Sequence, residues 1–142
     1  TSLGLDRMFL TILADSFKEE ILDSGDTRIF LKIPHILAPI KVAILPLTKK
    51  DGMPEKARKI MQSLQLKFNC QYEEKDSIGK RYRRHDAIGT PFCITIDHVT
   101  LEDNTVTLRN RDTMIQERVS LNKMEEIISE NLNISKYLQI KA

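Results

Sequence analysis

Ile40-Lys41-Val42-Ala43-Ile44-Leu45-Pro46-Leu47 is apolar throughout apart from Lys41, and it is rich in branched side chains. A strand wetted on one face alternates polar and apolar residues. A strand with no polar face is covered on both sides, as in the middle of a parallel sheet. The sequence that follows supplies the cover. Asp51-Gly52-Met53-Pro54 opens a helix, with Pro54 in the first turn where its missing N–H costs nothing. Ala57, Ile60, Met61, Leu64 and Phe68 then recur at core spacing. Cys70 to Glu74 reads as a second strand, and residues 78–88 as a second helix. Phe92 to Val99 alternates apolar and polar, the mark of a half-buried strand. Glu102-Asp103-Asn104 turns the chain and Thr105 to Leu108 returns it as a hairpin. Gln116 to Val119 is a further strand. Ser120 suits an N-cap, and Leu121, Met124, Ile127, Ile128 and Leu132 form the stripe of a last helix. The tail from Ser135 to Ala142 adds one more turn. This order predicts an α/β layer structure whose right-handed crossovers put helices on the sheet faces. The closing hairpin makes the sheet mixed.

Upstream of the apolar run, residues 28–39, with Pro34 and Pro39, read as a linker. Asp23-Ser24-Gly25-Asp26 is a break. Leu5, Met8, Phe9, Ile12, Leu13 and Phe17 give a wide apolar stripe, which predicts a helix from Leu5 to Leu22. Such a stripe needs something to pack on.

Composition bounds the rest. A chain of 142 residues holds one domain, or one domain and a piece of another. Its 41% hydrophobic and 30% charged residues are ordinary for a soluble domain. No apolar run is long enough to span a bilayer, and no signal-peptide pattern opens the chain. Cys70 and Cys93 stand in no CxxC or metal-ligand spacing, which suggests lone thiols in a reducing, cytoplasmic setting. His35, His85 and His98 have no metal-ligand spacing either, so no metal site is expected. The formal net charge is only +2, so any case for a polyanionic partner rests on clustering.

The cluster is there. Ser77-Ile78-Gly79-Lys80-Arg81-Tyr82-Arg83-Arg84-His85-Asp86-Ala87-Ile88-Gly89-Thr90-Pro91-Phe92 puts four cations in five positions. At about 100° per residue, Lys80, Arg81, Arg83 and Arg84 share one broad helical face, with Ile78, Tyr82 and His85 roughly opposite. A solvated face is the plain reading, and a polyanion footprint with aromatics near by is the sharper one.

The same stretch, as Ser77 to Arg84 and then Asp86 to Phe92, resembles the "SIGKRYRR-DEIGTPF" signature of glycyl-tRNA synthetases of the single-polypeptide, class II type. Leu37 to Leu47 resembles that family's entry into its anticodon-binding domain. Thr100 to Arg109, followed by Arg111-Asp112-Thr113-Met114, resembles its late hairpin. The resemblance runs from about residue 1 to about residue 130. It implies a three-layer anticodon-binding domain over residues 40–142, with a mixed, roughly five-stranded sheet flanked by helices. Residues 28–39 would be the linker, and residues 1–27 the end of a class II catalytic domain.

Gly4-Leu5-Asp6-Arg7 looks like the Gly-x-Asp/Glu-Arg strand-to-helix junction of class II synthetases. By resemblance, Arg7 would stack on the adenine of ATP and neutralise phosphate, and Gly4 would admit the nucleotide. Ser2 would contact the amino acid. The resemblance implies that the full enzyme ligates glycine to tRNA(Gly) through glycyl-adenylate, using ATP and Mg²⁺, as a homodimer. The family's other catalytic parts would lie upstream, so this piece alone is expected to be inactive and to need no cofactor. Its first helix would fold back, self-associate or be poorly ordered.

For the anticodon stem-loop, single-stranded bases are read by stacking and by edge hydrogen bonds. Arg81, Arg83 and Arg84 offer planar forks, and Lys80 a point charge. Asp86 could accept from a cytosine amino group or pair with a neighbouring arginine, the simpler reading. Phe92 opens a strand and suits a core position. Thr90 and Glu102 stand where base edges could be met. Arg109 and Arg111 add a second basic point or a solvated surface. A non-catalytic, synthetase-like interaction module is the alternative. A thioredoxin-like redox enzyme would suit the α/β order but lacks paired cysteines.

Overall fold

In the computed structural model the described residues are Ser2 and residues 4–139. Thr1, Leu3 and the end of the tail from Ile140 lie outside them. The elements are α1 (Leu5–Ser16), β1 (Phe17–Ile21), β2 (Thr27–Leu31), β3 (Val42–Pro46), α2 (Met53–Leu64), β4 (Cys70–Tyr72) and α3 (Ile78–Ala87). There follow β5 (Phe92–Ile96), α4 (His98–Asp103), β6 (Thr105–Asn110), β7 (Gln116–Ser120), α5 (Leu121–Asn131) and α6 (Ile134–Gln139). β1 and β2 form a separate hairpin. The main sheet has the order β4-β3-β5-β6-β7.

The apolar run becomes β3, buried at every position from Val42 to Pro46 and paired in parallel with β4 and β5. β5 pairs antiparallel with β6, and β6 with β7, so the sheet is mixed as expected. Side chains alternate across it. Val42, Ile44, Phe92, Ile94, Ile96, Val106, Leu108 and Val119 meet Ala57, Ile60 and Leu64 of α2 and Met124 and Ile128 of α5 in the main core. Ala43, Leu45 and Cys93 point the other way, onto Ile78 and Tyr82 of α3. This gives three layers. β4 and β5 lie on opposite sides of β3, so right-handed crossovers require α2 and α3 on opposite faces. Cys70 and Cys93 point to opposite faces with β3 between them. Two strand spacings, about 9.6 Å, exceed disulfide reach. Both thiols are free, and burial pushes them up to about 11 and about 12.

Several local expectations change. The first helix stops at Ser16 rather than Leu22, because Phe17 turns extended, with φ −65° and ψ 123°. Phe17–Ile21 instead pairs with Thr27–Leu31 around the Asp23–Asp26 break, which Gly25 closes at φ +83°. Part of the expected linker is therefore strand. Thr27-Arg28-Ile29-Phe30-Leu31 alternates, with Arg28 and Phe30 buried against the body of the domain. β5 is buried on both faces rather than half-buried, since α2 covers one face and α3 the other. The turn expected at Glu102–Asn104 is the end of a short helix. Asp97 caps it by accepting from the Thr100 amide, and the Thr100 hydroxyl returns a bond from the Asp97 amide. The first part of the α1 stripe stays exposed, Leu5 at 78% and Phe9 at 63%, while Ile12 and Leu13 are half-buried.

Candidate nucleic-acid interface

The cationic helix divides by angle. Arg81, His85, Ile78, Tyr82 and Asp86 fall within an arc of about 140°, and that arc faces inward. Arg83, Lys80 and Arg84 occupy the outward remainder. Arg81 is thus not on the open face with the other cations, as the wheel suggests. It lies only about 40° around from the buried His85 and is itself 2% exposed.

Arg81 reaches the carboxyl ends of β3 and β4. Its guanidinium donates to the carbonyls of Pro46 (2.7 Å), Leu47 (3.3 Å) and Glu73 (3.2 Å). A side chain from the protein itself thus covers the carboxyl ends of these two strands and satisfies their loop carbonyls.

Asp86 is the next inward residue, 1% exposed. It accepts from Arg109 at 2.8 and 2.9 Å and from the Arg28 Nε at 3.0 Å. The pairing that the sequence offered as the simpler reading is the one found. It includes Arg28, a partner from β2 that sequence reasoning passed over as linker. The period-two alternation of Arg28 with Phe30 was the available signal. Arg28 also pairs with Glu20 across the hairpin (2.6 Å) and donates to the Arg111 carbonyl (2.6 Å). Arg111 is buried too. It donates to the carbonyls of Gly89 (2.7 Å) and Ile33 (2.9 Å) and to Asp112 (2.8 Å). Burial acts to raise the Asp112 carboxyl, but hydrogen bonds from His35 and Arg111 outweigh it and hold the group well below the usual carboxylate range.

Thr90 is buried beside His85, 3.3 Å from its Nδ1, and Phe92 lies in the core with His35 edge-on to its ring at 5.3 Å. Arg81, Asp86, Thr90, Phe92, Arg109 and Arg111 therefore face inward. They build the platform and bind the β1–β2 hairpin to it. They do not form an exposed reading surface, because each is at most 5% exposed.

What faces outward is different. Lys80, Arg83 and Arg84 line the open side of α3. On the sheet face that α3 covers at β3 and β5, the half made by β6 and β7 carries Thr105, Thr107, Gln116 and Arg118, half-buried or exposed. Period two explains it, since Val106, Leu108 and Val119 take the core side. Arg118 donates to Asp97 (2.6 and 2.9 Å), Thr105 (2.6 Å) and Thr107 (3.3 Å). The hydrogen bond from Arg118, reinforced by the Thr100 amide, holds the Asp97 carboxyl down at about 2. Tyr82 borders this half-face. Its hydroxyl shares a hydrogen bond with Thr95 (2.6 Å), and Arg109 stacks on its ring at 4.7 Å. Glu102 is exposed on α4, the helix that Asp97 caps. Sequence reasoning did not single out Arg118 or Thr107, although the alternation of β6 and β7 marks both as facing away from the core.

At the other end, Ser2, Gly4 and Arg7 line one shallow cleft with Met8, Thr11 and Ile12. Gly4 caps α1, and Leu5 and Asp6 open it, exposed. A Cβ on Gly4 would only touch the Arg7 side chain at 3.7 Å. Among the described residues no three His, Cys, Asp or Glu side chains converge to hold a metal ion, and no helix is long and apolar enough to cross a membrane.

Residues 41–131 match the family model described as "Anticodon binding domain". The chain is 49% identical over 132 residues to a glycine–tRNA ligase of Chlorobaculum tepidum, 93% of this chain and 28% of the relative. It is 52% identical over 131 residues to a glycine–tRNA ligase of Clostridium tetani, 92% of this chain and 28% of the relative. The chain thus spans little more than a quarter of the length of the curated relatives it matches. Among solved structures, the RNA binding domain of threonyl-tRNA synthetase from Cryptosporidium parvum Iowa II superposes with a TM-score of 0.63 at 24% identity, over 70% of this chain and 25% of that one, a likeness of fold. With an anticodon-binding model matched across its main sheet and the helices packed on it, the chain belongs to the anticodon-binding domain family.

Proposed function

We propose that this chain holds the anticodon arm of a tRNA, as the anticodon-binding part of a glycine–tRNA ligase. One observation carries the reading. A polar half-face on β6 and β7 lies on the sheet face that α3 covers, and α3 carries three outward cations, in a member of the anticodon-binding family. Phosphate contacts fall to Lys80, Arg83 and Arg84. Base-edge contacts fall to the donors and acceptors around Arg118, Thr107 and Asp97, with Glu102 at the margin. Arg81, Asp86, Thr90, Phe92, Arg109 and Arg111 act from beneath, by fixing α3 on the sheet.

The whole ligase would join glycine to tRNA(Gly) with ATP and Mg²⁺ as a cytoplasmic homodimer. In that enzyme Arg7 would meet ATP phosphate or adenine, and Ser2 the amino acid. The shared cleft of Ser2, Gly4 and Arg7 fits an edge of such a site, and its single cation suits phosphate. Residues 1–27 would then continue a catalytic domain, and residues 40–142 form the tRNA-binding one.

Fluorescence anisotropy with transcribed glycine tRNA at several salt concentrations tests this. The chain is expected to bind, to lose affinity when anticodon bases are changed, and to show a salt slope shallower by about 1.4 for Lys80→Ala/Arg83→Ala, at about 0.7 per single-strand contact. Equal binding to native and altered anticodons would refute base reading and favour a non-catalytic interaction module.

A further inference from the structure

Three cations stand on the outward arc of α3, and two are already held by carboxylates from other segments. Arg84 donates to Asp76 (2.7 Å) and to the Lys75 carbonyl (2.8 Å), and pairs with Glu73 (2.5 Å). Arg83 pairs with Asp26 (3.3 Å), which sits in the turn between β1 and β2. No carboxylate pairs with Lys80 among the described residues.

Two features describe these pairs. Asp76 takes a left-handed φ of +69°, a conformation in which Asp and Asn are enriched. In that conformation its carboxylate meets Arg84 from the loop that leads into the helix. Both pairs also remain in water, with Asp76 37% and Asp26 63% exposed. Exposed pairs are weak, so they exchange rather than lock. A carboxylate offers a guanidinium the same charged pair of acceptors that a phosphate does.

We propose that Asp76 and Asp26 screen the outward arginines of α3 as exchangeable counter-ions, and thereby set RNA specificity. This rests on the reading of that surface as RNA-binding. An RNA that offers only phosphates must displace the carboxylates. An RNA that also engages the polar half-face of β6 and β7 offsets that displacement with base contacts. The carboxylates lower affinity for any RNA, but they lower it most where phosphate contact is all there is.

The test uses the chain with two probes, transcribed glycine tRNA and a 12-nucleotide oligouridine, in anisotropy titrations across salt. Asp76→Asn keeps the shape and tolerates positive φ, since Asn is among the residues enriched there. It is expected to tighten oligouridine binding about twofold at low salt, the lower end of the scale of one exposed ion pair, since Arg84 keeps Glu73. The salt slope should steepen by less than about 0.7, the value of one full phosphate contact, because Arg84 keeps Glu73, whereas Asp26→Asn leaves Arg83 without a carboxylate among the described residues and should steepen it by about 0.7. tRNA affinity should change less, so discrimination falls. Asp26→Asn should act in the same direction. Glu126→Gln on α5, across the sheet from α3, removes the same charge and should leave both probes unchanged. Equal effects of Glu126→Gln and Asp76→Asn would overturn the proposal in favour of net charge alone. Unchanged oligouridine binding by Asp76→Asn, in a chain that binds tRNA normally, would overturn it while leaving the tRNA reading intact. Failure of the unmodified chain to bind either RNA would overturn both.

Discussion

Asp86→Ala removes the carboxylate on which two buried guanidiniums converge, and it should cost about 3 kcal/mol of stability. Arg109, 5% exposed, loses acceptors at 2.8 and 2.9 Å. Arg28, 3% exposed, loses one at 3.0 Å but keeps Glu20 and the Arg111 carbonyl, both at 2.6 Å. Breaking a buried pair from one side costs about 3–5 kcal/mol, because the charge left behind stays out of water. Since Arg28 is only half stripped, the lower end applies. At about 2.1 cal/mol/K of unfolding entropy per residue, a 142-residue chain should lose roughly 10 °C in Tm. Urea unfolding followed by circular dichroism would show an earlier midpoint at unchanged m. The triple variant Asp86→Leu/Arg28→Met/Arg109→Met should recover at least half of the loss, since apolar replacement of a whole buried network is often neutral. A Tm drop under about 3 °C for Asp86→Ala would refute the claim that this carboxylate is a desolvated anchor between hairpin and helix. Simple additivity in the triple variant would refute the claim that the three side chains act as one network.

Gly89→Ala should destabilise by about 2 kcal/mol, because φ is +82° there and a Cβ would sit 2.9 Å from Ile33 Cδ1 and 3.2 Å from the Leu31 carbonyl oxygen. Adding Ile33→Ala should not relieve the φ penalty, and a loss below about 0.5 kcal/mol in thermal unfolding would contradict this account. The Asp97 carboxyl is lowered from 3.8 to about 2, chiefly by the hydrogen bond from Arg118. The folded form therefore holds its proton less tightly than the unfolded one, so this stabilisation is full above the unfolded value and fades as pH falls from about 4.5 toward 2. In Arg118→Ala the Asp97 carboxyl should titrate closer to 3.8 by carbon-detected NMR. The acid arm of the stability curve should flatten over the same interval. An unmoved titration would show that Arg118 is not the cause.

Much of this molecule was written in local pattern. The unbroken apolar run at Ile40–Leu47 announced a strand covered on both faces, since no polar face was offered to water. The spacing of Ala57, Ile60 and Leu64, and of Leu121, Met124 and Ile128, marked two helices on one core. The block from Ser77 to Phe92 marked the family. Periodicity could not say which of the clustered arginines point outward. Arg81 and Arg83 are the same residue type two positions apart and opposite in role, because only the docked sheet supplies the Pro46 and Glu73 carbonyls that draw one of them inward. Phe17–Ile21 continues a helical stripe in sequence, yet it is a strand, because pairing with Thr27–Leu31 carries Arg28 to Asp86, 58 positions along the chain. Sequence alone determined which segments bury apolar surface, since that is a property of neighbours three, four or two positions apart. Only the tertiary structure decided which charges are buried and paired, because a charge leaves water only where distant segments bring the partners that compensate for its desolvation.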